Sequence, residues 1–284
     1  MEPALNTRLL IKRLLSLFVL LPALAFGQAV TATSSNGMAY SGPGWTNLPN
    51  FATTSLFTSN VGTGDVDLYT VPSGKRAMVY GIAWNSTASS ISFYSEIKIS
   101  GTYYAIVANQ TLASTSTAPL GVFAQIILEA GQKFSIHTTG TGLNIMGAVY
   151  TFDAIATAPK TVLITSFING DNTVYACSPS PPQTACYGFG RIAALISGAA
   201  TQSILSGYNN TGGSLTYHWN FVPNGGSAGT SNQISQAITA AAGAGTPAAF
   251  TASGDFAMGN GDKISVAATS TNANQIAWVN VVEQ

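Results

Sequence analysis

Charged residues are scarce in this sequence. Of its 284 residues, ten are Lys or Arg and ten are Asp or Glu, so the formal net charge is zero. Such a chain produces too weak an electric field to attract nucleic acid or anionic lipid. Its solubility must come from Ser, Thr, Asn, Gln and Gly. A neutral surface of that kind suits the cell exterior and favours packing against copies of the same chain.

Histidine and acidic side chains are too few for most catalytic sites. The two histidines, His137 and His218, fall in different halves of the chain, and each faces outward from its strand. We expect surface residues, because a Ser-His-Asp triad or a zinc site needs partners that the sequence does not place beside them. A glycoside hydrolase would have to use Glu96 and Glu129, which is not favoured. The sequence therefore predicts no enzyme, no catalytic or cofactor-binding residues, no cofactor and no metal site.

The sequence has one long apolar run, at its N-terminus. Arg8, Lys12 and Arg13 precede an apolar stretch at 14–26, which is too short to span a bilayer of about 30 Å. Small residues end the stretch, so residues 1–27 predict a cleaved secretion signal. Its removal leaves 10 − 3 = 7 basic and 10 − 1 = 9 acidic residues. We expect a secreted or cell-surface protein without a membrane span after cleavage.

Cysteine is limited to Cys177 and Cys186, which flank a proline-rich loop. In an exported protein, two cysteines that close a short loop predict a disulfide. A loop of about ten residues would stabilise the fold by roughly 2–3 kcal/mol in the chain-entropy model. A metal site needs more ligands, and a redox pair is usually spaced C-x-x-C.

Short alternating runs between turns make up most of what the sequence does contain. Gly, Ser, Thr and β-branched residues dominate, and residues 233–242 are the one stretch that favours a short helix. A mature chain of roughly 255 residues is long enough for two ordinary domains. The pattern predicts an all-β fold of two tandem antiparallel jelly-roll-like β-sandwich domains.

The clearest strands lie in residues 68–99, where apolar side chains recur at every second position. The core-facing set of the first strand is predicted to be Met78, Tyr80, Ile82 and Trp84. That of the second strand is predicted to be Ile91, Phe93, Ser95, Ile97 and Ile99. Its outer set is Tyr94, Glu96 and Lys98.

The same stretch resembles modules of bacteriophage tail and fibre proteins and related prophage-encoded structural proteins. The resemblance is carried by the segment LYTVPSGKRA, a strand, the residues N-S-T and a second strand. It covers roughly residues 53–153. Those modules are β-sandwiches used for assembly and attachment, so the resemblance implies that fold and a structural role for the first half.

Two segments of the sequence are alike. Residues 128–136, LEAGQKFSI, match residues 258–266, MGNGDKISV, at an offset of 130. Residues 80–83 similarly match residues 190–193 at an offset of 110. The difference of 20 residues indicates an insertion in the second copy, which we place at 223–247. The likeness predicts two tandem copies of one fold.

These patterns divide the chain into four parts. They are a signal peptide at 1–27, an N-terminal arm at 28–50, a first sandwich domain at 51–155 and a second at 161–284, with a linker at 154–160. The arm is rich in turn residues. We hypothesise that it pairs with a sheet edge on another copy, the alternative being that it folds back over its own first domain.

Acidic residues near glycines are candidate calcium ligands. Asp65 and Asp67 precede a strand, and Asp171 and Asp262 lie in Asn-Gly-Asp turns. Calcium takes oxygen ligands of this kind, but Asp and Asn beside Gly are ordinary turn formers, and no full calcium loop is present. Turn roles are the preferred interpretation, and calcium binding stays open.

Four aromatic residues are candidates for surface binding, namely Trp45, Tyr94, Tyr103 and Tyr104. The sequence as a whole predicts a secreted, non-enzymatic structural or adhesive protein. It would be a self-associating subunit of an extracellular assembly such as a surface layer, filament or attachment module. The alternative is a lectin-like protein that binds surface glycans through those aromatic side chains.

Overall fold

The computed structural model describes nine segments of the chain: 50–107, 109–120, 126–188, 203–209, 213–234, 237–240, 248–253, 256–269 and 272–283. These segments hold nineteen β-strands, a 3-10 turn at Thr230–Asn232 and no α-helix. In the same segments no helix is long and apolar enough to cross a membrane. The predicted all-β sandwich class is confirmed. The predicted signal peptide and most of the arm, Trp45 included, lie outside the described residues.

The first nine strands form two antiparallel sheets. Their bounds are β1 Ala52–Val61, β2 Gly64–Thr70, β3 Lys75–Asn85, β4 Ile91–Ile99, β5 Thr102–Ala105, β6 Gln110–Leu112, β7 Thr117–Leu120, β8 Lys133–Thr138 and β9 Leu143–Asp153. Sheet A has the order β1-β9-β3-β7. Sheet B has the order β2-β8-β4-β5, and β6 also pairs with β4.

The remaining ten strands form two more antiparallel sheets. Their bounds are β10 Lys160–Phe167, β11 Gly170–Ala176, β12 Ala185–Gly188, β13 Ser203–Asn209, β14 Leu215–Val222, β15 Ile238–Ala240, β16 Ala248–Ser253, β17 Phe256–Gly259, β18 Lys263–Ala268 and β19 Asn272–Glu283. Sheet C has the order β16-β13-β19-β12-β17, and β10 also pairs with β19. Sheet D has the order β11-β18-β14-β15.

Sheets B and D repeat one pairing scheme. The strands β8 and β18, which carry the similar sequences, occupy the same place in their sheets. Both follow a glycine with a left-handed backbone, Gly131 at φ 80° and Gly261 at φ 91°, a conformation that few other residues adopt. Strands β2 and β11 also share a register shift near their ends. The division into two domains at 155 and 161 stays a prediction.

Apolar side chains form two core clusters that share the last strand. The first is formed mainly by side chains of sheets A and B and the second by side chains of sheets C and D. Strand β19 contributes to both, because successive side chains of a strand point to opposite faces. Ile276 and Trp278 pack in the first cluster, whereas Ala277 and Val279 pack in the second.

The predicted core face of β3 is wrong. The side chains that enter the first core are Ala77, Val79 and Ala83. Met78 and Tyr80 are buried, but on the opposite face of sheet A, where Ile82 is 40% exposed. Because both faces of this strand are apolar, alternation gives its period but not which face is inside. The faces of β4 agree with the prediction.

The helix predicted at 233–242 is also wrong where the structure describes it. Ile238–Ala240 is strand β15 and pairs with β14. A β-branched pair, Ile238 and Thr239, suits a strand. The predicted linker at 154–160 is held in place, since the Arg76 guanidinium donates hydrogen bonds to the carbonyl oxygens of Ile155 and Ala158.

Candidate functional site

The outer face of sheet B carries a continuous polar network. Residues directly opposite one another in antiparallel strands share a face, so the register defines its rows. The first row is Asp65, His137 and Tyr94. The second is Asp67, Ser135 and Glu96. The third is Lys133, Lys98 and Tyr103.

In the first row, His137 is held from two sides. Its Nδ1 lies 2.5 Å from Oδ1 of Asp65 and donates a hydrogen bond to it. The ring of Tyr94 stacks on the imidazole with centroids 4.7 Å apart and 10° between the planes. Burial, with the charges of Glu96 and Asp65, raises the pKa of Tyr94 to about 12. The stacked ring therefore stays neutral and fixes the imidazole orientation.

Glu96 is the unusual member of the network. Its side chain is on the outer face, yet the residue is only 4% exposed. Within the described residues, its Oε2 has no hydrogen-bond partner. One of its carboxyl oxygens, one of Asp65 and one ring nitrogen of His137 all lie within 4.8 Å of one another. We call these three residues the acid–histidine cluster.

Burial raises the pKa of Glu96 to about 8, and the Asp65 charge, a side-chain hydrogen bond with Asp65 and the Asp67 charge add to this shift. Desolvation disfavours the charged form of a carboxyl group, and nearby negative charge acts in the same direction. The Glu96 carboxyl therefore holds its proton at neutral pH.

Asp67 is stabilised as an anion two residues further along β2. It accepts hydrogen bonds from Lys133 Nζ at 2.7 Å, Ser135 Oγ at 2.9 Å and the Tyr103 hydroxyl at 3.1 Å. Burial alone would raise the pKa of Asp67, but these three hydrogen bonds outweigh it and lower the pKa to about 2. Lys98 lies over the Tyr103 ring, 4.4 Å from its centroid.

The equivalent face of sheet D has different chemistry. By register, the positions of Asp65, Glu96, His137 and Tyr94 correspond to Asp171, Asn220, Ala267 and His218. Asp171 Oδ1 accepts hydrogen bonds from Ser265 Oγ at 2.6 Å and Asn220 Nδ2 at 3.2 Å. There an aspartate–amide–serine network replaces the acid–histidine cluster.

The predicted binding aromatics have separate surroundings. Tyr94 stacks on His137, and the Tyr103 hydroxyl contacts Asp67 and Lys98. Tyr104 packs partly against the first core. No local pattern in the sequence links Asp65, Glu96 and His137, although all three alternate to the outer side of their strands. Only the pairing of β2, β8 and β4 brings them together.

The other residues named from the sequence have structural contacts. Glu129 pairs with Arg76 Nε at 2.8 Å, so it and Glu96 have different partners. Asp262 accepts hydrogen bonds from the backbone N–H groups of Asn224 and Gly259, both at 2.8 Å, as expected of a turn residue.

The second core contains the one disulfide of the described chain. Cys177 and Cys186 form it, with Cα atoms 5.8 Å apart. Both cysteines are buried, and Met258 packs in the same cluster. The disulfide therefore closes the proline-rich loop onto the second core.

His218, the other histidine named from the sequence, lies on β14 and is half-buried.

A second surface feature lies on sheet A. Phe57, Met146 and Ile82 are paired in one row across β1, β9 and β3. They are 64%, 51% and 40% exposed. In the described part of the chain, β1 pairs along one edge with β9 and has no strand on its other edge. Its ten residues include no charged residue and no proline.

No protein-family model and no curated protein matches this chain. Among solved structures it is similar to the STIV MCP, with 10% identity over 82% of this chain and 96% of that one and a TM-score of 0.27. It is similar to the PBSX exported protein XepA, with 10% identity over 82% and 86% and a TM-score of 0.23.

It is also similar to the CBM22-1-CBM22-2 tandem domain of Paenibacillus barcinonensis Xyn10C. That match has 7% identity over 82% of this chain and 93% of that one, with a TM-score of 0.20. At such low TM-scores, none of the three likenesses carries an argument about function.

Proposed function

We propose that this chain is an exported, non-enzymatic structural or adhesive protein. Its copies would assemble through the edge of β1 that has no partner strand among the described residues. The observation that carries the proposal is the composition of that edge strand, which is ten residues long, exposed and uncharged. Natural proteins protect long edge strands with lysine, proline, bulges or covering segments, because unpaired backbone groups recruit other strands. Strand β1 has neither lysine nor proline, and its one register irregularity lies near its end, between Thr58 and Val61.

The apolar row next to this edge would add to the contact. Phe57, Met146 and Ile82 each keep a large exposed area. Covering them with a partner would contribute about 3–4 kcal/mol before the cost of association. The chain's few charges offer little repulsion between copies.

Export is supported by the disulfide. Disulfides persist in oxidising compartments outside the cytosol, and the Cys177–Cys186 bond is buried in the second core. Mass spectrometry of the exported protein should give an N-terminus near Gln28. A folded product that retains Met1 in the cytoplasm would contradict export.

Size-exclusion chromatography with light scattering tests the assembly. The mature chain should form oligomers, and the double variant Ser55→Lys with Phe57→Lys should be monomeric, because it places two charges on the edge strand. The matched control is Ser166→Lys, which adds a charge to β10, the edge strand at the corresponding place in the second half. A monomeric wild type, or equal loss of assembly in the control, would refute the proposal.

Deletion of residues 28–50 then identifies the partner strand. If the arm pairs with β1 of another copy, the truncated chain should stay folded and become monomeric. If β1 pairs with β1, the oligomer should persist without the arm.

A second candidate function is glycan binding on the outer face of sheet B. It is favoured by the grouping of the Asp67 carboxylate, the Tyr103 hydroxyl and the Lys98 ammonium in one hydrogen-bonded set. Such groups fit the hydroxyl groups of a sugar. On a glycan array, Tyr103→Ala should lose binding while Tyr104→Phe keeps it. No binding by the wild type would exclude this function.

A further inference from the structure

The acid–histidine cluster brings together three ligand types from three adjacent strands. Asp65 is on β2, His137 on β8 and Glu96 on β4, and the antiparallel register places them side by side. One ligand atom from each lies within 4.8 Å of the others. The rigid sheet thus fixes the relative positions of two carboxyl groups and one imidazole.

The unpaired oxygen of Glu96 is a second observation, besides the grouping of the three side chains, that points to a bound ion. A buried polar atom normally has a hydrogen-bond partner, and leaving one unpaired is costly. Glu96 is 4% exposed and forms a side-chain hydrogen bond with Asp65. Its Oε2 still has no partner within the described residues, and one of its carboxyl oxygens belongs to the cluster. A cation bound between the three side chains would pair with this carboxyl group. It would displace the Glu96 proton and the proton between His137 Nδ1 and Asp65, and both would pass to solvent, because metal ligands are deprotonated.

The second half shows that the fold does not need these residues. At the corresponding positions Asn220 replaces Glu96 and Ala267 replaces His137. Asn220 donates its amide hydrogen bond to Asp171, so sheet D forms with a neutral side chain at this position. The ionisable pair in sheet B is therefore an addition to the common scheme.

We propose that Asp65, Glu96 and His137 bind one divalent transition-metal ion, with Zn²⁺ as the fitting member of the class. Zinc accepts mixed imidazole and carboxylate ligands, and sites with three protein ligands leave a position for water or substrate. Calcium takes six to eight oxygen ligands and does not suit a nitrogen donor. Asp65 and His137 are partly exposed, so the fourth position faces solvent. Tyr94, stacked on His137, orients the imidazole ligand as outer contacts of metal sites do.

Calorimetry and thermal denaturation of the EDTA-treated mature chain test the site. Zn²⁺ should bind with a stoichiometry of one per chain. At a free concentration about 100 times Kd, it should raise Tm by roughly 5–10 °C. Ca²⁺ at the same concentration should produce no comparable rise. An equal response to Ca²⁺, or no Zn²⁺ binding, would overturn the proposal.

The residues at the corresponding positions of sheet D define a matched double variant. Glu96→Asn with His137→Ala installs the residues of sheet D and should weaken Zn²⁺ binding at least 100-fold. The control His218→Ala alters the other histidine and should bind Zn²⁺ normally. Binding that survives the double substitution, or that is lost in the control, would place the ion elsewhere and refute the site.

Chemical modification of the histidines tests the site in the wild-type protein, so the result does not depend on whether a variant folds. Diethyl pyrocarbonate modifies accessible imidazole nitrogens, and mass spectrometry locates the modified histidine. Zn²⁺ should slow modification of His137 and leave that of His218 unchanged. Equal rates with and without Zn²⁺ at His137 would contradict coordination by that residue.

Discussion

Sheets B and D have corresponding strand orders, yet one carries the acid–histidine cluster and the other an aspartate–amide–serine network at the same place. In sheet D, Asp171 is satisfied by Asn220 and Ser265. In sheet B, Ser135 donates instead to Asp67, and Asp65 pairs with His137. The shared fold therefore needs a buried polar group at this position of the strand, but not a carboxyl group or an imidazole. At the corresponding places, those ionisable groups are present in the first half alone.

The largest effect is expected from Trp278, which connects the two halves of the molecule. Trp278 belongs to β19 of sheet C, but its side chain packs in the first core. Trp278→Ala should destabilise the protein by about 3–5 kcal/mol, because it leaves a large cavity. Hydrogen exchange should show lost protection in β8, a strand of the first half. Unchanged protection there would mean that the two cores are independent.

The disulfide should stabilise the second half alone, whereas Trp278 links both halves. Cys177 and Cys186 lie in the second core alone. Replacing both with Ser should lower the free energy of unfolding by roughly 2–3 kcal/mol, since the unfolded loop regains its freedom. Denaturant unfolding measures the loss, and hydrogen exchange should place the early opening in β11 and β18. Equal opening of β2 and β8 would contradict a local effect.

Transplanting the cluster into sheet D tests whether the shared register is enough to bind Zn²⁺. Asn220→Glu with Ala267→His should give sheet D the ligand set of sheet B, beside the existing Asp171. We expect a cost of about 1–3 kcal/mol for the buried carboxyl group, and Zn²⁺ stoichiometry rising from one toward two in calorimetry. Stoichiometry that stays at one in a folded variant would show that the common register is insufficient for binding.

The smallest effect is expected at alkaline pH. Tyr217 is buried in the second core at the position where the first core has Phe93, and burial raises the pKa of Tyr217 well above its usual value. The unfolded chain loses this proton near pH 10, whereas the folded chain keeps it, so stability falls as pH rises above that value. Tyr217→Phe should reduce the alkaline loss in pH-dependent denaturation and leave stability at pH 7 nearly unchanged. An identical alkaline slope in both proteins would contradict this assignment.

Local patterns predicted the architecture better than the site. The all-β class and the outer set of β4, with Tyr94 and Glu96, follow from alternation within single strands. The core-facing side of β3 does not follow from alternation, since Met78 and Ala77 point to opposite faces and are both buried. The acid–histidine cluster depends on register between strands that are distant in sequence, which a one-residue shift would destroy. Such pairing is a property of the folded sheets and has no local signal.

The position of β19 has a consequence for how the chain folds. Its alternate side chains pack in both cores, so neither core is filled until residues 276–279 meet strands that are distant in sequence. The first core joins Leu56 to Trp278, which are 278 − 56 = 222 positions apart. Contacts between such distant residues form slowly, because a long loop must close before they stabilise the fold. We therefore expect slow folding in which the docking of β19 is a late step shared by both halves.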